Sequence, residues 1–120
     1  MTLQLWIGCA AFGALGAIAR AVTAGLMTRR FGVAFPWGTM AVNLTGAFAL
    51  GVLHGVEASH TMTMLVGAGL LGSLTTFSTW MLETLRLAQH RLIRAAANLG
   101  GSLALGLGVV ALGSAVGSVV

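Results

Sequence analysis

Gly72-Ser73-Leu74-Thr75-Thr76-Phe77-Ser78-Thr79-Trp80 is the stretch that decides how this chain is read. Five of the seven residues from Ser73 to Thr79 carry hydroxyls, and three of those are β-branched threonines with a weak preference for helix. The stretch nevertheless lies inside an apolar run that opens near Met62 and becomes polar only at Glu83 and Arg86. At about 1.5 Å per residue, a helix starting near Thr61 places Gly72 about 16 Å along, roughly the midplane of a hydrocarbon core about 30 Å thick. A glycine followed by clustered hydroxyls at that depth predicts an interrupted helix. An interruption is tolerated in a membrane only where protein, a cavity or an ion satisfies the released backbone groups. Carbonyls freed around Gly72 and Thr75 suit a small hard cation, and the amide end of the resuming half-helix suits an anion. The competing reading is an intact helix whose hydroxyls bond back to preceding carbonyls.

Composition demands a bilayer as solvent. Of 120 residues, 58% are hydrophobic and 7% charged, with a mean hydropathy of +0.98, whereas soluble domains carry about 25% charged residues. Six basic and two acidic residues cannot clothe a water-soluble surface, and so apolar a chain is not disordered either. The formal charge of +4 does not indicate nucleic acid, because the arginines are dispersed and no basic run alternates with aromatics. Cys9 is the only cysteine, which excludes an internal disulfide and a two-cysteine metal site.

Apolar runs predict four membrane spans in one domain over residues 1–120, at about 3–27, 35–56, 62–85 and 95–119. The first lacks the basic leader and short apolar core of a cleaved signal peptide. Continuous apolar runs, without strict alternation, favour helices over barrel strands. Arg29, Arg30, Arg86, Arg91 and Arg94 fall in or beside the first and third connections, so the positive-inside rule puts both termini outside. The 18 glycines are a packing signal, with Gly51/Gly55 and Gly113/Gly117 forming GxxxG pairs. A unit this thin encloses little, so an oligomer is expected.

Other residues add to the polar line. Asn43 sits in the middle of the second span, where an amide needs a partner, and Asn98 and Ser102 form a stripe on the fourth. Phe77 and Trp80 share a helical face, while Thr76, Thr79 and Glu83 share another. The positive edge of an aromatic ring can solvate an anion without holding it tightly, although two rings at this spacing are also ordinary packing. Arg20 and Glu83 either pair or reach separate interfaces. No nucleophile with a base, phosphate loop or HExxH is present, so the chain reads as a conduit rather than an enzyme.

Three strings, Gly13-Ala14-Leu15-Gly16-Ala17-Ile18-Ala19-Arg20, Pro36-Trp37-Gly38-Thr39-Met40-Ala41-Val42-Asn43-Leu44-Thr45-Gly46-Ala47-Phe48 and Gly72 to Thr79, closely resemble the CrcB/Fluc family of bacterial fluoride channels. The likeness runs through all the expected spans in order. It implies an all-α membrane protein with four transmembrane helices, the third broken at mid-membrane, assembled as an antiparallel dual-topology dimer. It also implies a structural sodium ion at the dimer interface, held by the backbone carbonyls of Gly72 and Thr75 from each subunit. Fluoride would pass Asn43, Phe77, Ser78, Thr79 and Ser102, with Trp80 standing where the family often has a second phenylalanine. Arg20 and Glu83 match other characteristic positions. The implied function is passive fluoride export across the bacterial inner membrane, which lowers fluoride toxicity in the cytoplasm.

A homodimer is expected, but the arginines gathered on one side make a heterodimer with an oppositely oriented homologue the alternative. A small multidrug exporter of similar size relies on a glutamate in its first helix, and no acidic residue precedes Glu57 here. A non-transporting assembly protein would lose stability, and no ion flux, when Phe77 or Asn43 is replaced.

Overall fold

The computed structural model describes all 120 residues, folded entirely into helices joined by short connections. Helix α1 spans Leu3–Phe31 and is capped by Thr2, whose hydroxyl accepts the Leu5 N–H at 3.3 Å. It runs on through Arg29 and Arg30, cations well placed at a helix C-terminus, and stops at Gly32, whose φ of 76° suits glycine. Helix α2, Trp37–Gly55, follows Pro36, whose carbonyl accepts the Met40 N–H at 3.2 Å. Ser59 then caps the next helix by accepting the Met62 N–H.

That third stretch is composite. One α turn, α3 (His60–Met62), leads into a π-helical segment (Thr63–Leu71) and a second α turn, α4 (Gly72–Leu74). The chain is then extended at Thr75, with ψ 159°, and resumes as α5 (Ser78–His90). Helix α6, Leu92–Gly117, ends the fold. The interruption thus falls three residues after the glycine expected to cause it. Gly72 is itself helical, with φ −63° and ψ −33°. Its N–H reaches back to the Gly67 carbonyl, the longer step of a π-helix.

Close helix packing rests on glycine. Added methyls at Gly51 and Gly55 of α2 would collide with the Val110 and Ser114 carbonyls of α6. Methyls at Gly113 and Gly117 of α6 would collide in turn with the Phe48 and Val52 carbonyls of α2. The two GxxxG pairs therefore mate with each other, backbone against backbone, as helices do where lipid offers no hydrophobic drive. Gly16 of α1 seats in the same way against Leu70 and Ser73.

Three helices are long and apolar enough to cross a membrane: Leu3–Phe31, His60–His90 taken across its break, and Leu92–Gly117. Helix α2 has 19 residues and carries Thr39, Asn43, Thr45 and His54. It is also the most enclosed, with six of the 14 buried residues of the chain. The molecule measures 48 Å in its longest dimension, close to the full thickness of a bilayer with its headgroups, about 40–45 Å. Large apolar side chains such as Trp6, Leu26, Ile93 and Leu107 are exposed along α1 and α6, as a lipid-facing surface requires.

Candidate functional site

The site is the gap between α4 and α5, and it begins with threonine chemistry. Thr75 bonds twice to the Leu71 carbonyl, through its N–H at 3.0 Å and its hydroxyl at 2.9 Å, closing the upstream helix. Thr76 opens the downstream one. Its hydroxyl accepts the Thr79 N–H at 3.3 Å and pairs with the Thr79 hydroxyl at 3.1 Å, as an N-cap does. Local sequence thus ends one helix and starts the next within two residues.

Released backbone groups need partners, and Asn43 supplies them from α2. Its Nδ2 donates to the Thr76 carbonyl at 2.9 Å, and its Oδ1 accepts the Thr76 N–H at 2.8 Å. The amide of Asn43 thus satisfies both backbone groups of a residue that no helix serves. Because Thr76 donates to Asn43, it leaves the Gly72 carbonyl without its helical donor; because Thr79 donates to the Thr76 hydroxyl, it leaves Thr75 in the same state. These two carbonyls lie about one turn apart, and the Ser73 carbonyl between them likewise lacks its helical donor, the Phe77 N–H.

Two concavities approach this segment. One, of about 500 Å³, is lined by Asn43, Gly72, Thr75, Thr76, Phe77 and Trp80 among others. The second, of about 450 Å³, lies at the arginine-bearing end and is lined by Thr39, Glu83, Arg86, His90, Arg91 and Arg94. Thr39 precedes Asn43 by one turn of α2, and Glu83 follows Trp80 by about one turn of α5, so the two concavities are lined by successive turns of the same helices. Beside the second concavity the Thr39 hydroxyl donates to Glu83 Oε1 at 2.9 Å, while Glu83 Oε2 is shielded from solvent without a hydrogen-bond partner. Glu83 accordingly does not pair with Arg20, which is half-buried on α1 and lines neither concavity.

The aromatic pair is edge-on. The rings of Phe77 and Trp80 lie 5.7 Å apart at 77°, and Phe77 is 70% exposed in the single chain. Ser78 and Thr79 are exposed beside them. Ser102 lies apart, on α6, with a shielded hydroxyl that has no partner. Thr39 was not among the residues singled out by sequence; its signal is the single turn that separates it from Asn43.

Residues 7–114 match the sequence pattern described as CrcB-like protein, Camphor Resistance (CrcB). The chain belongs to this CrcB-like family. It is 46% identical over 106 residues to the fluoride-specific ion channel FluC 2 of Mycolicibacterium paratuberculosis, covering 88% of this chain and 87% of that one. FluC 2 of Mycobacterium bovis is 42% identical, with 94% and 90% covered, and FluC 1 of Rubrobacter xylanophilus 44%, with 96% and 94%. CrcB-like membership thus extends over α1, the break and α6 alike.

Proposed function

We propose that the chain is one subunit of a fluoride-selective channel that lets fluoride leave the bacterial cytoplasm passively across the inner membrane. The observation that carries this reading is the interrupted helix clamped by Asn43 between two concavities, in a chain whose relatives are named fluoride-specific channels. Fluoride is small and strongly hydrated, and a pathway for it must replace water by contacts weak enough to let it go. The positive ring edges of Phe77 and Trp80 are such contacts. The exposed hydroxyls of Ser78 and Thr79 beside them stand in for part of the lost hydration shell, while Ser102 of α6 enters the pathway only if assembly uncovers its shielded hydroxyl. Asn43 holds the segment open while its own amide stays engaged.

In this proposal α2 is the fourth crossing, with Thr39 and Asn43 facing protein and pathway rather than lipid, and the channel is multi-pass. Exposed Phe77 and Gly72 meet a second, antiparallel subunit. The freed carbonyls of Gly72 and Thr75 fit a structural sodium ion, since hard cations take backbone oxygens where a membrane helix is unwound. The freed carbonyls of a single chain are too few to surround a cation, so the cation site is completed by the partner, which it would pin electrostatically. Placement of Arg29, Arg30, Arg86, Arg91 and Arg94 at one end favours one orientation per chain and makes an oppositely oriented homologue the second reading for that partner, beside a homodimer.

Fluoride efflux from liposomes containing the purified protein, with a potassium ionophore balancing charge and chloride measured in parallel, tests the function. Fast fluoride release without chloride release is expected. Absence of release, both alone and with an oppositely oriented homologue, would overturn the proposal.

A further inference from the structure

Trp80 carries the one strong hydrogen-bond donor on the two rings at the break, and that donor is already engaged. Its indole Nε1–H donates to the backbone carbonyl of Asn98 on α6, at 3.2 Å. Asn98 is the most enclosed large side chain in the molecule, 1% exposed. Its Nδ2 donates to the Thr84 hydroxyl at 2.8 Å, and that hydroxyl donates at 2.8 Å to the carbonyl of Trp80 itself. Trp80, Asn98 and Thr84 form a closed circuit between α5 and α6. It leaves the indole ring standing edge-on to Phe77 with its N–H turned away into the protein.

The chemistry gives this arrangement a purpose. An N–H aimed at a bare anion makes a charge-assisted hydrogen bond, roughly twice as strong as a neutral one, whereas a ring edge attracts it weakly. A conduit needs binding that also releases. We infer that the Asn98 backbone carbonyl withholds the Trp80 indole N–H from the passing anion, and that the Asn98 and Thr84 side chains are positioning residues that hold this carbonyl of α6 against the indole of α5. Trp80 then presents only its carbon framework beside Phe77. This inference rests on the fluoride-channel reading.

The test measures fluoride flux against fluoride concentration in proteoliposomes for Asn98→Ala and for the nearly isosteric Thr84→Val, each with Trp80 and in a Trp80→Phe background. Both variants keep the accepting carbonyl but break the Asn98–Thr84 bond that holds it against the indole. The loosened N–H should then reach the anion, tighten binding and slow release, lowering half-saturation and maximal rate together by about fivefold, the worth of one hydrogen bond. The effect should vanish in the Trp80→Phe background. A purely structural role would give equal losses in both backgrounds and overturn the inference. A second readout is independent of flux. In protein with nitrogen-15 labelled tryptophan, the Trp80 indole resonance, assigned by its loss in Trp80→Phe, should ignore added fluoride in the wild type and move with it in Thr84→Val. An indole resonance that moves in the wild type, or in neither, would overturn the inference alone. Loss of wild-type fluoride efflux would instead defeat the channel reading.

Discussion

The α2/α6 seam and the break between α4 and α5 meet the same problem, backbone in a solvent without water, by opposite means. At the seam the helices stay intact and side chains are removed: Gly51 and Gly55 face Gly113 and Gly117, and the backbones touch. At the break a helix is opened and a side chain is added, with Asn43 taking both the N–H and the carbonyl of Thr76. The first solution gives a rigid joint with no room for a ligand. The second gives a polar opening whose stability is supplied from another helix. Rigidity at the seam is what lets the break exist, because α2 carries both the glycines that fix it to α6 and the amide that holds the opening.

That contrast can be broken from either side. Gly113→Leu should have the largest effect: a side chain there meets the Phe48 carbonyl, which cannot swing aside, so little folded protein should survive on gel filtration in detergent. Recovery of a normal yield would show that the seam is looser than described. Asn43→Leu comes next. It leaves two backbone groups of Thr76 unpaired, a cost of about 1–3 kcal/mol for each buried group, and should cut fluoride efflux by at least about 100-fold while the helices remain. Circular dichroism and efflux on one preparation check both halves.

Gly72→Val separates subunit from assembly. A Cβ at Gly72 meets only the Gly67 carbonyl at 3.6 Å, so the single chain tolerates it. Crowding would fall on the proposed cation site, and the dimer should dissociate about tenfold more readily, with the difference between sodium and a bulky organic cation abolished. Unchanged dissociation with and without sodium would remove the cation from the proposal. Gly25→Ala is the smallest: nothing lies within 4 Å, so stability should stay within about 0.5 kcal/mol and flux should not change.

Much of this was readable from local chemistry. Clustered threonines announced an interruption, because β-branching and back-bonding hydroxyls weaken a helix wherever it lies. Its register was not readable: Gly72 has the freer backbone, yet the chain opens at Thr75 because Thr76 finds a partner in Asn43 from 33 residues away. The π-helical run ahead of it carries no residue signature, since Gly67 and Gly69 permit a wider turn without demanding one. The GxxxG pairs signalled close packing but not that they pack on each other. Arg20 and Glu83 were open to pairing until Thr39 was seen to hold the carboxylate. Each missing piece is a partnership between distant residues, to which spacing along the chain is blind.

The most direct measurement of whether the break is the fluoride pathway is efflux through Phe77→Ile, with assembly monitored in the same sample. Phe77 supports no hydrogen bond of the clamp, and Phe77→Ile keeps a large apolar side chain where the proposed second subunit is met, so the fold and the dimer should stay intact. With the polarised ring edge gone, fluoride efflux should fall to the level of empty liposomes. Efflux at the wild-type rate from intact Phe77→Ile protein would contradict the assignment of the pathway to this segment.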